Sequence, residues 1–214
     1  AYTMTMPKSG FAELNGATFY YEIAGTGHPL VLLHAGICDS RMWDDQFALF
    51  AQYYQVIRYD LRGYGRTAPV AGPFAHHTDL WALLDHLGIE RAHLLGCSMG
   101  GTTTIDFALA YPDRVTALIL VCCEPSGFQD PIEEPLPADW EEMVAAFKAG
   151  EFERVAEYEV RLWVDGPLRT PDQVDAVIRD KVRAMNRIAL HNEASGVGER
   201  QSLDPPAFGR LHEI

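Results

Sequence analysis

Gly96-Cys97-Ser98-Met99-Gly100 sets one hydroxyl between two glycines, after the apolar pair Leu94-Leu95 and before a helix-forming stretch that continues from Thr102. Glycines two residues either side of a serine have a steric purpose. A serine on a sharp strand-to-helix turn takes strained backbone angles, and small neighbours let the strand and the helix close on each other. Ser98 then projects at the carboxyl edge of a sheet. The free N–H of Met99, at the N-terminus of the helix, can hold a developing oxyanion. The chemistry this suits is acyl transfer through a covalent intermediate on Ser98. The competing reading is a small-residue corner with no chemistry.

An oxyanion needs a second donor, and the backbone N–H of Gly36, in the turn His34-Ala35-Gly36 after the run Val31-Leu32-Leu33, is the candidate. His34 directly follows that run, where bracing the loop through its ring nitrogens is favoured over catalysis. Glu124 ends another apolar run and is a candidate acid, set against the plainer reading of a solvated strand-end charge. His28, His76, His77, His86, His93, His191 and His212 are all poorly spaced to serve Ser98 as base. Cys38, Cys97, Cys122 and Cys123 form no C-x-x-C pair and are expected as reduced thiols of a cytoplasmic protein.

These residues need a scaffold, and the apolar pattern describes one. Residues 11–14 and 17–23 flank Asn15-Gly16, whose positive φ angles suit a type I′ hairpin turn. Residues 29–33, 55–59, 92–95 and 116–122 are almost continuously apolar, as strands covered on both faces of a parallel sheet are. Helices are expected over 40–53, 78–87 and 99–111, giving a mostly parallel α/β sheet that opens with an antiparallel hairpin. Pro/Glu-rich residues 130–137 read as loop. Residues 139–192 are helical in pattern, with Thr170-Pro171-Asp172-Gln173 as a capping box and Val174, Ile178, Val182, Met185 and Ile188 or Ala189 as its apolar stripe. Residues 196–206 read as a linker.

Composition narrows the partners. With 30 acidic and 17 basic residues, a net charge of −13 and no basic run, the chain has no electrostatic footprint for nucleic acid. The longest apolar runs are strand-length, short of the ~20 residues of a membrane helix, and residues 1–10 lack the apolar centre of a signal peptide. No metal ion or cofactor is expected. Gly96 to Gly101 lacks the middle glycine of a dinucleotide-binding loop and follows the fifth strand, not the first.

Four motifs in order, Leu32-Leu33-His34-Ala35-Gly36 with Trp43 beyond it, Asp60-Leu61-Arg62-Gly63-Tyr64-Gly65-Arg66, Gly96 to Gly101, and Tyr111-Pro112-Asp113-Arg114-Val115, make the chain similar to the α/β-hydrolase family. It resembles the small carboxylesterases, 3-oxoadipate enol-lactone hydrolases and C–C bond hydrolases. The family's His-Gly is His34-Ala35 here, which leaves the donor N–H of Gly36 in place. The resemblance implies a core over residues 1–124, a helical cap over 125–209 after the sixth strand, and the start of a return to the core over 210–214. It also implies a triad acid after a seventh strand and a histidine after an eighth. Neither strand is found in these 214 residues, so both groups are expected in a C-terminal segment missing from this chain, and the chain alone is expected to be inactive. The exposed edge of the sixth strand is then a place for pairing with that segment or with another chain.

The expected activity is a serine hydrolase acting on a small hydrophobic ester or lactone, with apolar cap residues such as Trp163, Met143 and Phe147 lining the pocket or merely packing the cap. C–C bond hydrolysis or cofactor-free perhydrolysis on the same site, or ligand binding without catalysis, are the alternatives.

Overall fold

Strands β1 (Lys8–Leu14) and β2 (Ala17–Ala24) pair antiparallel, with Leu14 opposite Ala17. Between them Asn15 and Gly16 have φ of 51° and 78°, the pair of positive angles that a two-residue turn with the sheet's own twist requires. The computed structural model describes residues 7–129 and 137–214; the loop expected over 130–137 therefore lies outside the described residues except at Pro137.

The main sheet has the order β1-β2-β4-β3-β6-β7, with β3 (Pro29–Leu33), β4 (Gln55–Tyr59), β6 (Ala92–Cys97) and β7 (Val115–Val121) parallel to one another. These are the six strands expected from the apolar runs. Both faces are covered. On one, Trp43 and Phe47 of α1 (Asp44–Phe50) and the turn before it pack on Leu30, Leu32 and Val56. On the other, Leu80, Leu83 and Leu84 of α2 (His76–His86) and Phe107 of α3 (Met99–Ala110) pack on Val31, Leu33, Ile57 and Leu94. The chain steps outward from β3 to β4 and returns past β3 to β6, so the crevice between β3 and β6 opens at their carboxyl ends. That is where ligands bind in sheets of this kind.

Among the described residues three α-helices follow β7: α4 (Trp140–Lys148), α5 (Phe152–Val160) and α6 (Ala176–Ala194). They bury Ala146, Val155, Ala156 and Leu190 among themselves. Arg179 of α6 reaches Asp165 at 2.8 Å and Glu157 at 2.9 Å, and Arg183 reaches Glu157 at 2.6 Å. The group is held on the core by Lys181–Asp44 at 2.7 Å and by Asn192 Nδ2 donating to the Gly63 carbonyl at 2.8 Å. No helix among the described residues is long and apolar enough to cross a membrane.

Four expectations need correction. Residues 40–53 are not one helix: Ser40–Trp43 is a 3-10 turn capped by the Asp39 carboxylate, and α1 ends at Phe50. The capping box at Thr170 closes only the 3-10 turn Pro171–Gln173, and α6 starts later, capped by the Asp175 carboxylate on the Val177 N–H. Of the expected apolar stripe of α6, Met185 and Ala189 are buried as expected, but Ile178 and Ile188 are exposed, and the ion-paired Arg179 and the hydrogen-bonded Asn186 are buried instead. The linker over 196–206 contains a strand, β8 (Glu199–Arg200), which pairs parallel with β5 (Pro73–Phe74) in a separate two-stranded sheet.

Candidate active site

Ser98 stands between the end of β6 and the start of α3 with φ 51° and ψ −119°, a left-handed conformation that an L residue adopts only when its surroundings impose it. The neighbours supply that constraint. A Cβ on Gly96 would lie 2.4 Å from the Gly100 carbonyl oxygen, and one on Gly100 would lie 2.4 Å from that of Leu33. Only hydrogen fits at either position, and the helix start is therefore drawn onto β3 and β6. The Ser98 N–H donates to the Val121 carbonyl at 2.9 Å, while its side chain remains exposed. Thr102, one helical turn on, donates its hydroxyl to the Glu124 carbonyl at 2.7 Å, which ties the end of β7 to α3.

The N–H of Met99 opens α3, where the helix dipole favours negative charge. Gly36 lies beside it: a Cβ there would be 3.8 Å from both Cβ and Sδ of Met99. The turn holding Gly36 is fixed on both sides, since the Ala35 N–H donates to Met42 Sδ at 3.2 Å and the Ala35 carbonyl accepts from the Cys38 N–H at 3.0 Å. His34 is fully buried, with Nε2 accepting from the Leu61 N–H at 3.0 Å and Nδ1 2.8 Å from the Ala35 carbonyl. Both bonds form together only when the proton is on Nδ1. Burial lowers the pKa of His34 and keeps the ring neutral, as that arrangement needs. His34 is thus a brace between the loops after β3 and β4, the role its position suggested.

The other expected residues are more scattered. Glu124 is exposed, and its contact with α3 runs through its carbonyl. Among the described residues no histidine or carboxylate hydrogen-bonds Ser98. His28 and His93 share the Thr116 hydroxyl at 2.8 Å each, His86 packs on Tyr21, and His191 on Phe152. Of the helical residues expected to line a pocket, Trp163 is 68% exposed and Phe147 packs on Phe152 within the cluster formed by α4, α5 and α6. Met143 lines a cavity of about 280 Å³ with Trp140, Tyr158, Leu162 and Pro167. Tyr64, expected only as part of the motif after β4, donates its hydroxyl to Met99 Sδ at 3.3 Å, a contact the sequence did not show. Thr102 had a usable signal, the i+4 spacing from Ser98 that puts it one turn along the same face.

Comparison with known proteins agrees with this geometry. The family model described as alpha/beta hydrolase fold matches residues 28–186. A 2-hydroxy-6-oxo-6-phenylhexa-2,4-dienoate hydrolase of Comamonas testosteroni is 30% identical over 145 residues, 64% of this chain and 50% of the relative. A 3-oxoadipate enol-lactonase of Acinetobacter baylyi is 43% identical over 82 residues, 37% of this chain and 31% of the relative. The match spans half or less of the length of each of these relatives. The crystal structure of a hydrolase from Pseudomonas aeruginosa superposes with a TM-score of 0.69 at 28% identity, covering 89% of this chain and 72% of the other. A strained serine between two obligatory glycines, on a sheet of this order, together with these matches, makes the chain a member of the α/β-hydrolase family.

Proposed function

We propose that the protein is a serine hydrolase that opens a small hydrophobic carboxylic ester or lactone through an acyl-enzyme on Ser98. The backbone of Ser98 carries this reading. Strain at φ 51° persists only where something requires it, and here it presents an exposed hydroxyl beside the first N–H of a helix. In the proposed reaction the Ser98 oxygen attacks the ester carbonyl, and the N–H groups of Met99 and Gly36 hold the oxyanion. The alcohol leaves, and water releases the acid. The base that takes the Ser98 proton, and the acid that orients it, are proposed to come from a segment outside these 214 residues. Two observations support that: among the described residues no histidine hydrogen-bonds Ser98, His28, His34 and His93 bonding elsewhere, and the relatives named above extend well beyond the matched stretch.

A fluorophosphonate probe applied to the full-length protein tests the reading. Peptide mapping is expected to find the adduct on Ser98, and the Ser98→Ala variant to lose both the adduct and turnover of p-nitrophenyl esters. A wild-type protein that turns over no ester or lactone and takes no label at Ser98 would instead be a ligand-binding member of the family.

A further inference from the structure

Under the C-terminal end of α6 lies a cavity of about 370 Å³, within the roughly 300–1,000 Å³ typical of small-molecule sites. Neither Ser98 nor Met99 lines it. Its core-side wall is aromatic: the rings of Phe74 and His76 are 5.3 Å apart, those of Tyr64 and His76 6.4 Å, and the Arg62 guanidinium sits 4.9 Å over Phe74. The charge of Arg62 is already matched by the buried Asp79 carboxylate at 2.8 Å. Arg200 is near enough to the Asp106 carboxylate to favour its ionised form, without a direct contact among the described residues. Among the described residues the Arg200 side chain makes no ion pair, although its backbone is pinned at the rim, with Glu199 N–H donating to the Gly72 carbonyl and Gln201 N–H to that of Phe74.

His76 adds an independent sign. It is 5% exposed, and its Nδ1 has no hydrogen-bond partner among the described residues. Burial, reinforced by the positive charges of Arg200 and Arg62, holds its pKa well below the usual imidazole range. The ring is therefore neutral, and an orphaned nitrogen in a buried ring costs stability unless a guest serves it. The lining also holds one carboxylate, that of Glu193 on α6.

We propose that this cavity is a second small-molecule site, separate from Ser98, that takes a small aromatic carboxylate. The ring lies against Phe74, His76 and Tyr64, the carboxylate pairs with the Arg200 guanidinium, and His76 gains the hydrogen bond it lacks. The inference stands whether or not Ser98 is the nucleophile. Benzoate, titrated into the full-length protein by calorimetry, is the probe. It is expected to bind, to lose about tenfold or more in affinity in Arg200→Gln, as the loss of one charge-assisted contact implies, and to be excluded by Val197→Trp, which fills the cavity from its exposed rim. Neutral benzamide is expected to bind more weakly than benzoate. Absence of benzoate binding overturns the proposal, as does benzoate binding unchanged by Arg200→Gln and Val197→Trp, or benzamide binding equal to benzoate.

Discussion

At the scale of the residue, Ser98 holds backbone strain that the proposed acyl transfer would use. Its φ of 51° and ψ of −119° are tolerated only because Gly96 and Gly100 let two strands and a helix crowd around it. Replacing the side chain separates strain from reactivity. Ser98→Ala and Ser98→Gly both lose the hydroxyl, but only glycine relaxes the backbone. The glycine variant is expected to be more stable than the alanine variant by about 1 kcal/mol, the scale of one left-handed residue. Urea unfolding of the two proteins checks this, and an alanine variant as stable as the glycine one would locate the strain elsewhere. The elbow was legible in the sequence because its glycines serve a local steric purpose. Tyr64 was not, since its contact with Met99 depends on how the loop after β4 folds back across 35 residues.

At the scale of the element, strands read more easily than the helices after β7. The central strands β3 and β4 are buried along nearly their whole length and are mostly apolar, so their pattern is plain even though β4 carries the buried Arg58. The pairing of β5 with β8 has two residues a side, too short to show a period. In α6 the buried side is partly ionic, and the apolar stripe was therefore only a partial guide to its orientation: Met185 and Ala189 are buried, Ile178 is not. That ionic side has a pH dependence. Partial burial of Glu157 works against ionisation, but hydrogen bonds from Arg179, Arg183 and Arg161 prevail and bring its pKa from 4.5 down to about 2. With the folded value below the unfolded one, the contribution is complete above pH 4.5 and is lost as pH falls toward 2. Hydrogen exchange in α5 and α6 is expected to quicken over that window in the wild-type protein. In Glu157→Gln it is expected to be faster at neutral pH and flatter across the window. A variant that keeps the wild-type profile would assign the acid sensitivity to another carboxylate.

At the scale of the whole molecule, two long-range effects oppose each other on the same surface. In these 214 residues β7 closes the sheet as an edge, and three consecutive residues on it, Ile119, Leu120 and Val121, are 40%, 45% and 39% exposed. An edge of unpaired N–H and C=O groups flanked by apolar side chains is a template for another strand. Against it stands the net charge of −13, which makes two copies repel. Repulsion between separated surface charges is screened within about 10 Å at 0.1 M salt, whereas strand pairing and apolar contact are not weakened by screening. The 214-residue chain is therefore expected to associate in the micromolar range, and to do so more strongly as salt is raised. A charged side chain at the centre of the exposed run, Leu120→Lys, both disfavours stacking on the edge and leaves the buried faces of the sheet untouched, so it should restore the monomer without loss of fold. Sedimentation velocity across a salt series, with circular dichroism of the variant, reads both expectations. Association that weakens with salt would mean that charge attraction, not the β7 edge, brings the copies together.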